Sequence, residues 1–155
     1  ELNRKVVTPA LDMEAKSGAP AASMELLDGR IILGKTSKLL GATAALLLNA
    51  LKELANIPHE ENVIAPEAIE PIQTLKTEYL GSKNPRLHTD EVLIALSISA
   101  ATNPSARKAL NQIPKLAGCQ VHTSVMLSSV DVNTMKRLSV QLTSEPKYET
   151  NSIYH

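Results

Sequence analysis

The sequence predicts a layered α/β domain, and three observations lead to this prediction. Segments with apolar residues at helical spacing alternate with short runs of β-branched residues, which is typical of helices packed on a sheet. Asp28-Gly29 is a strong two-residue hairpin turn between two apolar runs. Residues 38–55 are apolar on nearly every side, so they indicate a helix buried against that sheet.

Each predicted element has a local signal. The predicted strands are residues 5–8, 24–27, 30–33, 62–65, 119–127 and 140–143. The predicted helices are residues 38–55, 66–80, 90–101, 103–113 and 128–138. Pro66 and Pro104 suit the first turn of a helix, and Thr89 is a suitable cap. The polar, turn-rich residues 12–20 and 81–88 are expected to be loops.

The length and composition of the chain limit its organisation. Its 155 residues suffice for one hydrophobic core, so we expect residues 1–155 to form a single α/β domain. The chain begins with Glu1 rather than Met, which suggests a fragment of a longer chain. Phe and Trp are absent, so the core must be built from aliphatic side chains.

Charge and cysteine content exclude several classes of partner. Sixteen basic residues balance sixteen acidic ones, and aromatic residues are few, so we expect no nucleic-acid partner. The longest apolar stretch, residues 39–51, is too short to span a bilayer, so we expect no membrane partner. Cys119 is the only cysteine, which favours a reducing, cytoplasmic location.

Residues 29–37 read GRIILGKTS and match the phosphate-binding pattern G-x-x-x-x-G-K-[ST]. The match has two interpretations. A phosphate loop surrounds its ligand with successive backbone N–H groups and favours small residues. Here the variable positions are strand-forming, at Arg30, Ile31, Ile32 and Leu33. We therefore expect the second strand of the hairpin, and a P-loop nucleotidase is the less favoured alternative.

A first candidate binding site lies at the start of the buried helix. Lys35, Thr36 and Ser37 place cationic and hydroxyl groups beside free N–H groups and the positive end of the helix dipole. Such a place attracts anions. The alternative is that Thr36 or Ser37 is an ordinary helix cap and that Lys35 is solvated.

A second candidate lies in the loop before the third helix. Lys83, Asn84 and Arg86 are polar or cationic, and a guanidinium can bind a phosphate or carboxylate with two parallel hydrogen bonds. Histidine is a frequent general acid or base in enzymes, so His88 is the candidate catalytic acid or base. The alternative is a local ion pair of Arg86 with an acidic residue of the next helical turn.

The remaining reactive side chains form no recognisable catalytic or metal motif. His122 is expected to be a hydrogen-bonded structural residue, and Cys119 a buried small hydrophobe. No metal site is predicted, and any cofactor is left unassigned.

Three segments of the chain resemble a known family. Residues 11–20 (LDMEAKSGAP), 81–91 (GSKNPRLHTDE) and 96–104 (LSISAATNP), with the closing Tyr154-His155, resemble the C-terminal region of the bacterial domain-of-unknown-function family eighteen forty-six. The resemblance covers almost the whole chain and implies a cytosolic protein several times longer. It also implies a three-layer α/β/α sandwich with a mixed sheet, similar to the cytidine-deaminase fold. The family brings no assigned activity.

The zinc chemistry of the deaminases is absent from this sequence. A zinc deaminase needs a His or Cys two residues before a Glu, and a Pro-Cys-x-x-Cys at the second helix. The first long helix begins KLLGAT with no ligand, and Cys119 has no second cysteine. The deaminase-like architecture is therefore expected without its zinc ligands.

Together these features favour a domain that binds a small anionic or phosphorylated ligand, with a nucleotide among the candidates, between the two loops. The rest of the full-length chain is an expected partner, and a homo-oligomer is a further candidate. The alternative is a structural or oligomerisation domain that supports a site elsewhere in the full-length chain. The residues do not decide whether catalysis follows binding.

Overall fold

The computed structural model describes residues 4–148, and the statements below concern those residues. The strands are β1 (Ala21–Glu25), β2 (Ile31–Lys35), β3 (Gln120–Thr123) and β4 (Gln141–Ser144). The α-helices are α1 (Val7–Ser17), α2 (Ala42–Leu54), α3 (Pro66–Thr74), α4 (Thr89–Ser99), α5 (Pro104–Leu110) and α6 (Ser129–Arg137). A π-helical turn, Leu75–Tyr79, continues α3, and a 3₁₀ turn, Ile113–Leu116, follows α5. The predicted α/β class is confirmed, and the resemblance at Tyr154-His155 lies outside the described residues.

The strands form one mixed sheet in the order β2-β1-β3-β4. β1 is antiparallel to both of its neighbours, and β3 is parallel to β4. The predicted hairpin is confirmed, because Met24 pairs with Ile32 and Gly29 in the turn has a φ of 93°, which favours glycine. Parallel strands need a crossover connection, and α6 provides it between β3 and β4.

Helices cover both faces of the sheet. Successive side chains of β1 point to opposite faces. The Ser23 hydroxyl donates a hydrogen bond to the carbonyl of Val6, beside α1, whereas Ala22 and Met24 belong to the core that α2 completes. It follows that α1 and α2 lie on opposite sides of the sheet.

The core is aliphatic, as the absence of Phe and Trp requires. Leu46, Leu47 and Leu51 of α2 are fully buried, which confirms the predicted burial of this helix. β2 approaches α2 closely at Gly34, where an added Cβ would lie 2.4 Å from the Ala42 carbonyl oxygen. Glycine is therefore required at this position for packing.

Three predicted elements are wrong. Residues 5–8 and 12–20 were expected to be a strand and a loop, but α1 occupies most of them, because Val7 and Ala10 bury one of its faces. Pro9 is compatible with this helix because it lies in the first turn. Residues 62–65 form no strand, although two of them are buried.

Two further elements are shorter than predicted. β3 ends at Thr123, where the Ser124 hydroxyl accepts a hydrogen bond from the Ala21 N–H (2.9 Å). α2 begins at Ala42 rather than at residue 38. The reason is a turn in which Ser37 Oγ accepts hydrogen bonds from the next N–H groups, those of Leu39 (3.2 Å) and Leu40 (3.1 Å). The predicted helices after residue 60 all correspond to helices of the structure.

Candidate functional site

Three helices begin around one small cavity. Residues at the starts of α2, α4 and α6 line it, beside the carboxyl end of β3 at Thr123. Its volume is about 20 Å³, which is room for roughly one or two water-sized groups. Because the N-terminus of a helix carries a partial positive charge, this arrangement attracts electron-rich groups.

The start of α2 lacks a side-chain cap. Its N-cap residue is Gly41, whose own N–H donates to the Leu87 carbonyl (3.2 Å), and no side chain caps the first turn. The N–H groups of residues 42–44 have no acceptor within the helix, and these residues line the cavity. Most helices supply a Ser, Thr, Asp or Asn oxygen at this point. The start of α2 therefore keeps the capacity to donate hydrogen bonds to an external oxygen.

Thr43 brings a hydroxyl group to the same place. The residue lines the cavity and is 4% exposed. Its hydroxyl makes no hydrogen bond with any other residue that the structure describes. The hydroxyl is not among the fully buried polar atoms that lack a partner, so it is accessible from the cavity and can bond a group there.

The carboxylate of Asp131 accepts hydrogen bonds at the start of α4 and balances the partial positive charge there. This residue is 7% exposed, and its Oδ1 accepts hydrogen bonds from the N–H (3.0 Å) and the hydroxyl (2.7 Å) of Thr89. A carboxylate is stabilised at a helix N-terminus, and here it also links α6 to α4. Asp131 lines the cavity. A group bound there therefore lies beside a carboxylate, which accepts hydrogen bonds and repels negative charge.

His88 is the N-cap residue of α4 and lines the cavity from a half-buried position. Its N–H donates to Glu91 Oε1 (2.7 Å), which also accepts a hydrogen bond from Lys76 Nζ (2.8 Å). Burial alone raises the pKa of Glu91, but these hydrogen bonds outweigh it and hold the pKa below its ordinary value. Lys76 also donates to the Arg86 carbonyl (2.6 Å). Lys76 and Glu91 thus hold the loop that carries His88.

The first set of predicted binding residues does not line the cavity. Lys35 is exposed at the end of β2, and Thr36 Oγ1 donates to the Pro20 carbonyl (2.7 Å). Ser37 forms the turn before α2, so the open helix start lies four residues beyond it, at Gly41. The P-loop alternative is wrong, because Ile31–Lys35 pairs with β1 as a strand and forms no phosphate cradle.

The two predicted loops do lie together. Arg86 Nε donates to the Ser37 carbonyl, and the N–H of the next residue in the loop donates to the Leu39 carbonyl (3.0 Å). Lys83 is exposed, whereas Asn84 is 7% exposed and accepts a hydrogen bond from the Arg86 N–H (3.0 Å). The Asn84 Nδ2 has no partner among the described residues. Of the predicted site residues, all within the described range, His88 alone lines the cavity.

The sequence analysis missed three residues that define the cavity, which are Gly41, Thr43 and Asp131. Gly41 is a possible N-cap by residue type, but it lies inside an apolar run that reads as continuous helix. Asp131 lies in the first turn of its own helix, and its local sequence indicates no other role. Its contact with Thr89 spans 42 positions, and no local pattern indicates a contact of that length.

His122 and Cys119 are buried, as predicted. The His122 Nδ1 lies 2.7 Å from Thr143 Oγ1, and its Nε2 lies 2.7 Å from Glu145 Oε2. Burial raises the pKa of the Cys119 thiol. Within residues 4–148, no three His, Cys, Asp or Glu side chains are grouped so that they could hold a metal ion. None of the helices described has the length and apolar character needed to cross a membrane.

The chain is similar to known sequences over nearly its whole length. The family model described as Domain of unknown function DUF1846, C-terminal, matches residues 2–154. A UPF0371 protein of Corynebacterium efficiens is 59% identical over 152 residues, which are 98% of this chain and 31% of that relative. A UPF0371 protein of Streptococcus sanguinis is 44% identical over 153 residues, which are 99% of this chain and 31% of that relative. The chain thus spans less than a third of the length of these relatives.

Proposed function

We propose that this chain, which belongs to the DUF1846 family as its C-terminal region, binds a small anionic group in the cavity where α2, α4 and α6 begin. The observation that carries the proposal is the uncapped start of α2 beside the Thr43 hydroxyl, which lines the same cavity. Oxygens of the anion accept hydrogen bonds from the N–H groups of residues 42–44 and from the Thr43 hydroxyl. Helix N-termini with free N–H groups are frequent anion sites.

Asp131 restricts which anion is accepted. Its carboxylate lies in the same cavity, so the ligand needs a hydrogen-bond donor in addition to its acceptor oxygens. Inorganic hydrogen phosphate carries both at neutral pH, because it keeps one O–H, whereas a monoester, whose second pKa is about 6, carries both only in its monoanionic form. Sulfate carries no proton at neutral pH and leaves the carboxylate facing a full negative charge. We therefore infer a phosphorylated ligand.

The cavity has room for roughly one or two water-sized groups, so it takes one or two oxygens of the oxyanion, and the remainder of a phosphorylated ligand lies outside it. The loop residues Lys83 and Arg86 and the segment Lys35–Ser37 precede the lining residues His88 and Gly41 by a few positions and supply polar and cationic groups there. His88 is the lining residue whose imidazole ring can donate or accept a proton. We assign it the role of acid or base if catalysis follows binding. A nucleotide is one ligand of this class, and a cytoplasmic location supplies such ligands.

A finer fold assignment accompanies this proposal. We infer a likeness to the cytidine-deaminase architecture without its zinc site, supported by the mixed sheet with β1 antiparallel to both neighbours and by helices on both faces. The second candidate function is a structural or oligomerisation domain. It is favoured by Ile94 and Ile98, which are 57% and 67% exposed on α4.

Calorimetric titration of the complete protein with inorganic phosphate and with sulfate tests the proposal. We expect phosphate to bind more tightly than sulfate. Thr43→Val removes one hydrogen bond to a charged group, so phosphate affinity should fall by about tenfold or more. Thr102→Val, at an exposed position far from the cavity lining, is the matched control and should leave the affinity unchanged.

A third variant tests the selectivity. Asp131→Asn keeps an oxygen for Thr89 and replaces the other oxygen with an NH₂ donor. The preference for phosphate over sulfate should therefore shrink or reverse. Equal phosphate affinity in the unchanged protein and Thr43→Val, or no measurable binding of either anion, refutes the proposed site and favours the structural candidate.

A further inference from the structure

α4 is apolar on two opposite sides. Its inner side contributes Val92, Ala95 and Leu96 to the core, each at most 3% exposed. Its outer face, which we define as Ile94, Ser97 and Ile98, is exposed. A helix on the surface of a domain normally has a polar outer side, and one that is apolar all round is buried. The outer face of α4 therefore has the character of a covered surface.

The absence of charge extends beyond the helix. Residues 92–106 contain no Asp, Glu, Lys or Arg, although they include exposed positions on α4 and on the turn that follows it. Charged residues are the usual means by which an exposed surface avoids association. Their absence here indicates that this segment does not face water in the complete protein.

A second exposed apolar group lies on the segment that is ion-paired to α4. Tyr79 and Leu80, at the end of the π-helical turn, are 75% and 70% exposed. Lys76 of the same turn forms an ion pair with Glu91 of α4 (2.8 Å). The ion pair ties the turn that carries Tyr79 and Leu80 to the helix that carries Ile94. Exposed apolar surfaces of this kind mark interaction sites.

The relatives contain a long stretch of polypeptide outside the matched region, and this stretch is the occupant that we consider. The matched region makes up 31% of the Corynebacterium efficiens relative, and the family model designates it as C-terminal. Most of each relative therefore precedes the region, in the same chain. A covalently attached segment is present at high effective concentration, so it occupies an apolar surface in preference to a separate partner.

We propose that the outer face of α4, with Tyr79 and Leu80, is the docking surface for the N-terminal part of the full-length family chain. Docking within one chain removes Ile94 and Ile98 from water at every protein concentration. A second copy of the chain on the same surface covers them only when the protein is concentrated.

Cysteine labelling in the complete polypeptide tests this surface. Ile98→Cys is made, and Lys108→Cys, exposed on the neighbouring helix α5, serves as the matched control. Maleimide labelling of each peptide is followed by mass spectrometry, in the native and the denatured protein, so that other cysteines do not interfere. We expect native labelling at position 98 to be slower than denatured labelling by at least about tenfold, and position 108 to label much faster.

Dilution of the protein distinguishes the N-terminal part of the same chain from a second copy of the chain. Protection at position 98 should persist unchanged when the protein is diluted over a hundredfold range (about the span needed to dissociate a weak dimer). Protection that disappears on dilution overturns the proposal in favour of a second copy. Labelling at the denatured rate at every concentration overturns it altogether, and neither result bears on phosphate binding at the cavity.

Discussion

The uncapped start of α2 makes Gly41 the most informative position to change. Its φ of −67° and ψ of 164° are accessible to any residue, and an added Cβ comes no closer than 3.7 Å to the Leu87 carbonyl oxygen. Gly41→Ser and Gly41→Ala therefore both fit. The serine hydroxyl can accept a hydrogen bond from the second or third N–H of the helix, whereas alanine offers no acceptor.

The difference in unfolding free energy between Gly41→Ser and Gly41→Ala measures the contribution of the cap. Both lose the conformational freedom of glycine in the unfolded state to a similar extent. Serine exceeds alanine at an N-cap by about 1 kcal/mol, within a range of about 0.5–2 kcal/mol. For a chain of this length, 1 kcal/mol corresponds to a difference in Tm of about 2–4 °C. We expect Gly41→Ser to be the more stable variant by that amount.

The same substitution should weaken ligand binding. The serine hydroxyl occupies the N–H groups that the phosphate needs, so we expect Gly41→Ser to bind inorganic phosphate about tenfold more weakly than Gly41→Ala. Urea denaturation gives the stabilities and calorimetric titration gives the affinities. Equal stability of the two variants refutes the reasoning, because it means that the first N–H groups of α2 are not open. A more stable Ser variant with unchanged affinity retains the cap and refutes the binding site.

Three further predictions concern the structure around the cavity. Gly34→Ala places a Cβ 2.4 Å from the Ala42 carbonyl oxygen, so urea denaturation should show destabilisation by about 1–3 kcal/mol or more; an unchanged midpoint contradicts the close approach. The pKa of Glu91 is lower in the folded protein than its ordinary value of 4.5. The ionised carboxylate therefore stabilises the folded protein above about pH 4.5, and this stabilisation is lost as the pH falls through the pKa of the folded state. Glu91→Gln should therefore be less stable at pH 7, by a margin that shrinks at pH 3, and a constant margin argues against this origin. His122→Ala removes the hydrogen bonds to Thr143 Oγ1 and Glu145 Oε2 from a buried position, so thermal denaturation should show a loss of about 1–3 kcal/mol; a neutral result means that the hydrogen bonds contribute nothing net.

Local signals predicted those parts of the fold that depend on local interactions. The Asp28-Gly29 turn specifies the β1–β2 hairpin, and Pro66 and Pro104 mark the first turns of α3 and α5. The errors occur where tertiary packing decides. The turn-rich composition of residues 12–20 predicted a loop, yet burial of Val7 and Ala10 against the sheet makes α1 a helix.

Of the residues that the sequence indicates as a candidate site, His88 lines the cavity and the others do not. Charge in the sequence points to Lys35, Lys83 and Arg86. The cavity lining includes the first residues of α2, and the position of their N–H groups depends on where the helix begins. The start of α2 lies at Gly41 instead of residue 38, because the Ser37 side chain closes a turn first. A shift of a few residues moves the open N–H groups away from the lysines.

The two helix starts at the cavity differ in how their N–H groups are hydrogen-bonded. At α4 the N-terminal N–H is satisfied from within the protein by Asp131, and at α2 the N–H groups are left open. Because both starts face one cavity, hydrogen-bond donors and a carboxylate acceptor lie side by side. A water molecule satisfies both, and so does a hydrogen phosphate group, whereas a fully deprotonated anion satisfies only the donors. Affinity therefore depends on the competition between ligand and water. The protein stays stable when the site is empty, because water meets the same requirements as the ligand.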